Sequence, residues 1–414
     1  MSGRKRGCAV ALAALAALAG CGGGGGGDGG GGGGSGGGGT GPLPVTPGSV
    51  PLAAGNGYTL AVRADGHVLA WGAMTGGAAT GTTFTAAAPA LVAGLSSIRA
   101  VNADADSNFR SMALDADGAA YGWGYPFAFG VEVVGGYNQI IGTPARVALL
   151  GPVRDAVHCG TSIGQSFGLR ADGSVAFVPS SYQPSSTGYG YTVGSVAGLP
   201  KVAALADHQS GNSCRPLAIG EDGSVWRLEL SSTSETSGLV RFAVTPVRVG
   251  GLPAVASAAC SGDSGVDACL AVAADGTVWA WGHNNYSWLP GVFDAATFTR
   301  LPARMPGLAD IEQVVTASDV AYARGRDGRI WSWGGVGGSG YVRLGRGTPG
   351  GVDAPGVVPL PAAARWLTAS LGHTAVLLAD GSVWAWGRND HGELGDGTTT
   401  VRIAPAPVAG INLN

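Results

Sequence analysis

Charge is scarce in this chain: only 12% of its 414 residues are Asp, Glu, Lys or Arg, and the formal net charge is −3. No basic stripe exists to follow a phosphate backbone, so no nucleic-acid partner is expected. The six cysteines form no Cys-x-x-Cys, and the six histidines form no close pair, so neither a metal nor a cofactor is expected. No Ser/His/Asp set, carboxylate pair or phosphate loop stands out, and the chain is expected not to be an enzyme. Long apolar runs are missing as well. The stretch Ala9 to Leu18 has about ten residues, too few to span a bilayer as a helix. What the chain does have is a 45% share of hydrophobic residues, enough for a packed core, and 76 glycines, which need a local explanation.

Residues 1–20 read as a secretory signal, with a basic start (Arg4-Lys5-Arg6) before the short apolar run. The run ends Leu18-Ala19-Gly20-Cys21, which resembles a bacterial lipobox. That resemblance implies cleavage before Cys21 and a diacylglyceryl group on its thiol. An ordinary signal with an incidental cysteine is the competing reading. Cys8 has no apolar run before it. Gly22 stands where an aspartate would often mean retention at the inner membrane, so the outer membrane is the favoured address if the cell has one. Cleavage would remove three basic residues and no acid, taking the net charge from −3 to −6. Residues 21–41 then form the lipidated cysteine and a tether, because 17 of the twenty positions 22–41 are glycine. Such a tract is a random coil reaching roughly 25 Å, not a phosphate loop.

One unit repeats through residues 42–414. Asp-Gly recurs at Asp65, Asp117, Asp172, Asp222, Asp275, Asp327 and Asp380, a period of about 52 residues. Asp-Gly is a favoured two-residue hairpin turn, since both positions accept positive φ. Six residues after the aspartate stands Trp-Gly in five copies (Trp71, Trp123, Trp281, Trp333 and Trp386), while the third and fourth copies carry Val178 and Leu228. Side chains after the turn alternate. Val383 and Ala385 face one way and Trp384 and Trp386 the other, so each sheet has a small face and a bulky one. The tryptophans on this strand are therefore expected to pack neighbouring units together. Pro-x-x-Val or a near match closes the units at Pro89, Pro144, Pro246, Pro302, Pro355 and Pro405, with Gly190 to Val193 in the third. Proline cannot donate to a ladder, so this is expected as an edge strand. An additional copy, Pro42 to Val45, precedes the first unit and is expected to pair with a terminal blade.

The last unit, from Ala369-Ser-Leu-Gly-His-Thr-Ala-Val through Asp380-Gly-Ser-Val-Trp-Ala-Trp-Gly to Asp396-Gly397, resembles a regulator-of-chromosome-condensation repeat. The resemblance implies an all-β fold, a seven-bladed β-propeller, and a structural role for His373. A period near 52 with Trp-Gly argues against WD40 repeats, while kelch repeats share the period. In this family one member exchanges guanine nucleotides on a nuclear GTPase, and a secreted bacterial member inhibits β-lactamases.

In an up-and-down blade the Asp-Gly turns share one face, so the loops after Trp-Gly open on the other. Those loops carry Phe127 and Phe129, Tyr182 and Tyr189, and Tyr286 and Trp288 among Ser, Gly and Asn, a composition suited to partner binding. Packing of the same aromatics within their own loops is the competing reading. Cys260 and Cys269 flank one loop and are expected to be bonded, and Cys159 with Cys214 could bridge neighbouring units. Gly262-Asp-Ser-Gly265 resembles a protease nucleophile motif in the wrong fold. Asp104 to Asn108 begins like a calcium loop but has Phe109 where glycine is needed. The functional expectation is a monomeric, lipid-anchored binding or scaffold module in the bacterial cell envelope, with an envelope or extracellular protein or a glycan as partner. Inhibition of an extracytoplasmic enzyme is the second reading, and a propeller hydrolase or lyase the third.

Overall fold

A computed structural model describes residues 50–74, 84–103, 110–124, 141–147, 150–159, 165–178, 194–206, 208–209, 215–234, 240–263, 266–283, 299–317, 319–335, 340–348 and 354–414. Seven antiparallel sheets follow one another along the chain. The first blade is β1 (Leu52–Gly55), β2 (Tyr58–Val62), β3 (Val68–Met74) and β4 (Phe84–Leu91). The second is β5 (Ile98–Ala103), β6 (Ser111–Asp115), β7 (Ala120–Gly124) and β8 (Ile141–Arg146). The third is β9 (Asp155–Cys159), β10 (Gln165–Leu169), β11 (Val175–Val178) and the short β12 (Gly194–Ser195). The fourth holds β13 (Val202–Ala206), then β15 (Leu217–Gly220), β16 (Val225–Ser234) and β17 (Val240–Arg248). Between them β14 (His208–Gln209) crosses to the fifth blade and pairs in parallel with its first strand. That blade is β18 (Val255–Asp263), β19 (Val266–Ala273), β20 (Val278–Gly282) and β21 (Thr299–Arg304). The sixth is β22 (Ile311–Ala317), β23 (Val320–Gly325), β24 (Ile330–Gly334) and β25 (Gly356–Val357). A four-residue helix, α1 (Gly340–Arg343), precedes β25. The seventh is β26 (Ala364–Ala369), β27 (His373–Leu378), β28 (Ser382–Gly387) and β29 (Arg402–Asn412). The chain is thus a seven-bladed all-β propeller, as its repeats predict.

The turn sequence Asp-Gly-Ser/Thr-Val-Trp is a small hydrogen-bonded machine. Asp380 Oδ1 accepts from the Ser382 amide at 2.9 Å and from its hydroxyl at 2.6 Å. That hydroxyl oxygen in turn accepts from Trp384 Nε1 at 3.2 Å. The fourth and fifth blades repeat the chain through Asp222, Ser224 and Trp226, and through Asp275, Thr277 and Trp279. These bonds hold the carboxyls of Asp222, Asp275 and Asp380 below the usual range, with the side-chain hydroxyl the largest cause. In the second blade Asp115 takes over, accepting from the Asp117 and Ala119 amides.

Seven apolar clusters fill the seven seams between blades. The bulky face of each blade packs on the small face of the one before it: Trp386 and Val376 on Val320, Tyr322 and Ile330, for instance. The seam between the last and first blades has the same form, with Trp71 and Leu69 against Ala375, Leu377, Val383 and Ala385. Trp71, Trp123, Trp333 and Trp386 are completely buried, whereas Trp226, Trp279, Trp331 and Trp384 are half-buried. Removing one buried indole would cost about 3–5 kcal/mol.

Trp-Gly is a dipeptide for a backbone reason. Its glycines, Gly72, Gly124, Gly282, Gly334 and Gly387, have φ between 91° and 111°, a region closed to other residues. In the first, second, fifth and seventh blades the ladder to the fourth strand shifts register at this glycine. The extra residues lie on the fourth strand, which bulges opposite the glycine where the loop ends. The fourth blade has Leu228-Glu229 there and no shift: its ladder runs unbroken from Trp226–Arg248 to Ser234–Val240.

Pro-x-x-Val has an equally local cause. The amides of Val92, Val147, Val249, Met305 and Val358 bond to carbonyls of the third strand in their blades. Three residues earlier, by strand alternation, the backbone faces outward, and there stand Pro89, Pro144, Pro246, Pro302 and Pro355. Each proline thus removes a donor from the outer edge and guards it against pairing. Pro42 to Val45 lies outside the described residues.

Candidate functional site

With every blade running up and down, loops from first to second strand and from third to fourth strand open on one face. The opposite face is uniform, since its turns span only 63–67, 116–119, 170–174, 221–224, 274–277, 326–329 and 379–381. On the loop face the intervals between third and fourth strands are 75–83, 125–140, 179–193, 235–239, 283–298, 335–355 and 388–401, from five to 21 residues long. The candidate partner-binding residues Phe127, Phe129, Tyr182, Tyr189, Tyr286 and Trp288 fall in three of these intervals and lie outside the described residues. So do Cys21, Cys214 and the Asp104–Asn108 segment. Cys159 ends β9, and Gly262 and Asp263 end β18.

The described part of this face shows how loops are anchored. Trp71 Nε1 donates to Glu393 O at 2.9 Å, and Trp386 Nε1 donates to Arg343 O at 2.6 Å. These two loops, after Trp386-Gly387 and Trp333-Gly334, therefore return to cap the tryptophan of the next blade. Leu394 and Leu344 follow the capping carbonyls and are buried in the same seams. Gly395 and Gly345 come next because the indole edge leaves no room: a Cβ would stand 2.8 Å and 2.5 Å from it. Sequence reasoning missed this pair of capping loops, although Glu393-Leu-Gly395 and Arg343-Leu-Gly345 repeat it visibly. Arg343 adds an ion pair to Asp319 and donates to Leu371 O of the seventh blade at 3.0 Å.

His373 sits where the seventh blade meets the first. It is fully buried, with Nδ1 3.0 Å from Ser370 Oγ and Nε2 2.7 Å from Thr59 Oγ1. Burial pushes its pKa down to about 3, so it is neutral. A second buried histidine, His158 on β9, stands 3.3 Å from Arg110 Nη1 and 3.1 Å from Ser166 Oγ. Burial first, and the Arg110 charge second, hold it well below its ordinary pKa. Both histidines fasten seams.

Residues of the seven first strands surround a central cavity of about 570 Å³. One-third of its lining is alanine, and Asp155 and Arg154 of the third blade are turned to the fourth. Asp155 accepts from the Leu205 amide at 3.0 Å, and Arg154 donates to Val202 O at 2.5 Å. Burial raises the Asp155 pKa against the pull of those bonds and of Arg99 and Arg154. Across the ring Arg324 pairs with Glu312 and donates to Gln313 Oε1 at 3.1 Å, while Gln313 Nε2 reaches Leu367 O at 2.9 Å. Among the described residues no three His, Cys, Asp or Glu side chains could share a metal ion. Cys260 and Cys269, opposite each other on β18 and β19, form a disulfide that is buried in the seam with the fourth blade.

Comparison with known proteins adds the lineage. The model of the regulator of chromosome condensation (RCC1) repeat matches residues 367–393, the unit that holds His373 and Trp386. Human E3 ubiquitin-protein ligase HERC2 is 31% identical over 145 residues, 34% of this chain and 3% of that protein. A mouse RCC1-like G exchanging factor-like protein is 28% identical over 196 residues, 44% of this chain and 41% of that one. The matches thus span less than half of either relative. Among solved structures, human WBSCR16 superposes with a TM-score of 0.59 at 19% identity, covering 78% of this chain and 85% of that one. Yeast RCC1 (Prp20), solved with Kap60 bound, gives 0.59 at 17% identity and 78% of both chains. The chain thus carries a regulator-of-chromosome-condensation (RCC1) repeat at residues 367–393, within a seven-bladed β-propeller whose fold the solved RCC1 structures share.

Proposed function

We propose that this propeller is a lipid-anchored, extracytoplasmic binding module that presents its loop face to an envelope or extracellular protein. An RCC1-like propeller suits a protein-binding or regulatory module, and one of the solved relatives is described as bound to Kap60. The observation that carries the reading is the asymmetry of the two faces. Seven near-identical turns on one side and seven unlike intervals on the other confine variation to a single surface. Three of those intervals hold the aromatic candidates, with Ser, Gly and Asn around them. The lipobox-like Leu18 to Cys21 and the glycine tether supply the anchor in this reading. Inhibition of an extracytoplasmic enzyme is the same surface put to a narrower use.

Two experiments test it. Metabolic labelling with palmitate should mark the wild-type chain in the membrane fraction, and Cys21→Ser should abolish the label and release the protein. In intact cells, chemical crosslinking should trap a partner with the wild type and lose it when Tyr182, Tyr189, Tyr286 and Trp288 become alanine. Unchanged crosslinks in that variant would place the binding surface elsewhere.

A further inference from the structure

The fourth blade departs from its neighbours in one way that creates a surface. Lacking Trp-Gly and the bulge opposite it, β16 and β17 run on as a straight hairpin for nine paired residues each, up to Ser234 and Val240. The amide of Leu228 donates inward to Pro216 O, and that of Val249 donates to Val225 O. By alternation the backbone groups of Val240, Phe242, Val244 and Pro246 then face outward, away from β16. Pro246 is the guard proline. The hairpin extends six residues past it, so Val240 to Thr245 form an edge about 20 Å long with no proline.

Two other long edges each meet a neighbouring loop. In the first blade the Ala87 carbonyl is taken by the Gly397 amide at 2.8 Å, and in the seventh the Ile403 carbonyl is taken by Gly347 at 2.9 Å. The outward amides and carbonyls of Phe242 and Val244 have no partner among the described residues. The hairpin is also two-sided. Leu230, Phe242 and Val244 are half-buried against the seam with the third blade, whereas Ser231, Thr233, Ala243 and Thr245 are exposed.

We propose that this edge of β17 is a docking site for an extended segment of a protein partner, which adds as a fifth strand to the fourth blade. Only another extended backbone matches a row of alternating donors and acceptors, which selects polypeptide over glycan. Residues of the incoming strand that bond opposite Phe242 and Val244 share their face, so alternate positions are apolar. Those between lie beside Ala243 and Thr245 and are small or polar. A second copy of this chain is the poorer occupant. Six residues of edge fall well short of the ~1,200 Å² that a stable dimer of folded heads buries. A flexible segment needs no such area to be positioned.

The inference rests on the reading of the chain as a protein-binding module, and its test needs no native partner. Fluorescence anisotropy would measure binding of the detergent-solubilised full chain to a panel of capped hexapeptides. Their sequences alternate Val, Ile or Phe with Ser or Thr. At least one peptide should bind, and Val244→Pro should weaken it about tenfold or more by removing one backbone donor and crowding the strand beside it. Because the Val244 amide makes no bond within the blade, Val244→Pro should lower the thermal transition no more than Val244→Ala, which loses the same packing but keeps the donor and the binding; this separates lost docking from lost packing. N-methylating the peptide on alternate amides should abolish binding in one phase and spare it in the other. Absence of binding by every peptide, equal binding to Val244→Pro, or sedimentation showing dimers that Val244→Pro dissolves would each overturn the proposal. Success of the loop-face crosslinks alongside failure of the peptides would remove the edge and leave the module reading intact.

Discussion

Single residues in this propeller are chosen by what the next blade presses against them. Gly345 has φ of +69° and lies against the Trp386 indole, whereas Gly347, at +76°, has only the Ala404 methyl group 3.7 Å away. Alanine at Gly347 adds backbone strain alone, on the order of 1 kcal/mol. Alanine at Gly345 adds that strain and drives the indole from its seam, so a loss of about 3 kcal/mol is expected. Urea denaturation of the two variants side by side measures the difference, and equal losses would mean that the contact with Trp386 is soft. His373 supplies a pH dependence of definite sign. Its folded pKa, about 3, lies below the unfolded value near 6.5, so the unfolded chain takes up the proton first. Stability is therefore complete above about pH 6.5 and falls on acidification towards pH 3, by up to about 1.4 kcal/mol per pH unit. His158 acts in the same direction, while Asp155 and Glu393, whose pKa values are raised by burial, act in the opposite one at lower pH. Denaturation midpoints at pH 7.0 and 5.5 should differ in the wild type and differ less in His373→Gln.

At the scale of elements, the legible features were those with short-range causes. Asp380-Gly381 fixes its turn, Trp384 and Trp386 divide the faces of β28, and Pro246 marks an edge, each through contacts within a few residues. What escaped reading depends on partners in other blades or on the loss of a signal. Nothing local to Glu393-Leu-Gly395 says that its carbonyl caps Trp71, a bond across the ring closure. Nor does Leu228-Glu229 announce a longer hairpin. It only lacks a bulge, and the consequence appears when nine pairs stay in register. The candidate site was legible as a choice of face, because up-and-down topology follows from the repeat, but not as a geometry. The Cys260–Cys269 bond was legible because both cysteines flank one short loop. It closes a sequence separation of nine residues and should contribute about 2–3 kcal/mol. Cys260→Ala with Cys269→Ala should lower the urea midpoint by a matching amount, and a dithiol should lower the wild type while leaving the double variant unmoved.

The whole molecule is held by seams rather than by a shared interior, and that sets how it must fail. Each blade is four strands with both faces covered, and each seam is a separate apolar cluster between two consecutive blades. Among the described residues every sheet draws its four antiparallel strands from one continuous stretch of sequence. Closure depends on side-by-side packing of the first and seventh blades. Added to it are Trp71 to Glu393, Trp366 to Leu52 O at 3.0 Å, and the Ala54 amide to Thr368 Oγ1 at 3.1 Å. Ending the chain after Ala363 removes the seventh blade and uncovers two seams at once, with Trp71 and Leu69 open on one side and Val320, Tyr322 and Ile330 on the other. If stability is mainly the sum of nearest-neighbour seams, six blades without closure lose more than one-seventh of it, because two interfaces vanish with one unit. The truncated chain is expected to bind a hydrophobic dye and to unfold at lower urea in a broader transition, while the wild type unfolds in one step. Six blades that kept the wild-type midpoint would show that each blade is stable alone and that the ring closes for shape. A sharp fall would instead show that the best-formed repeat, at the end of the chain, is the clasp on which the loop face depends.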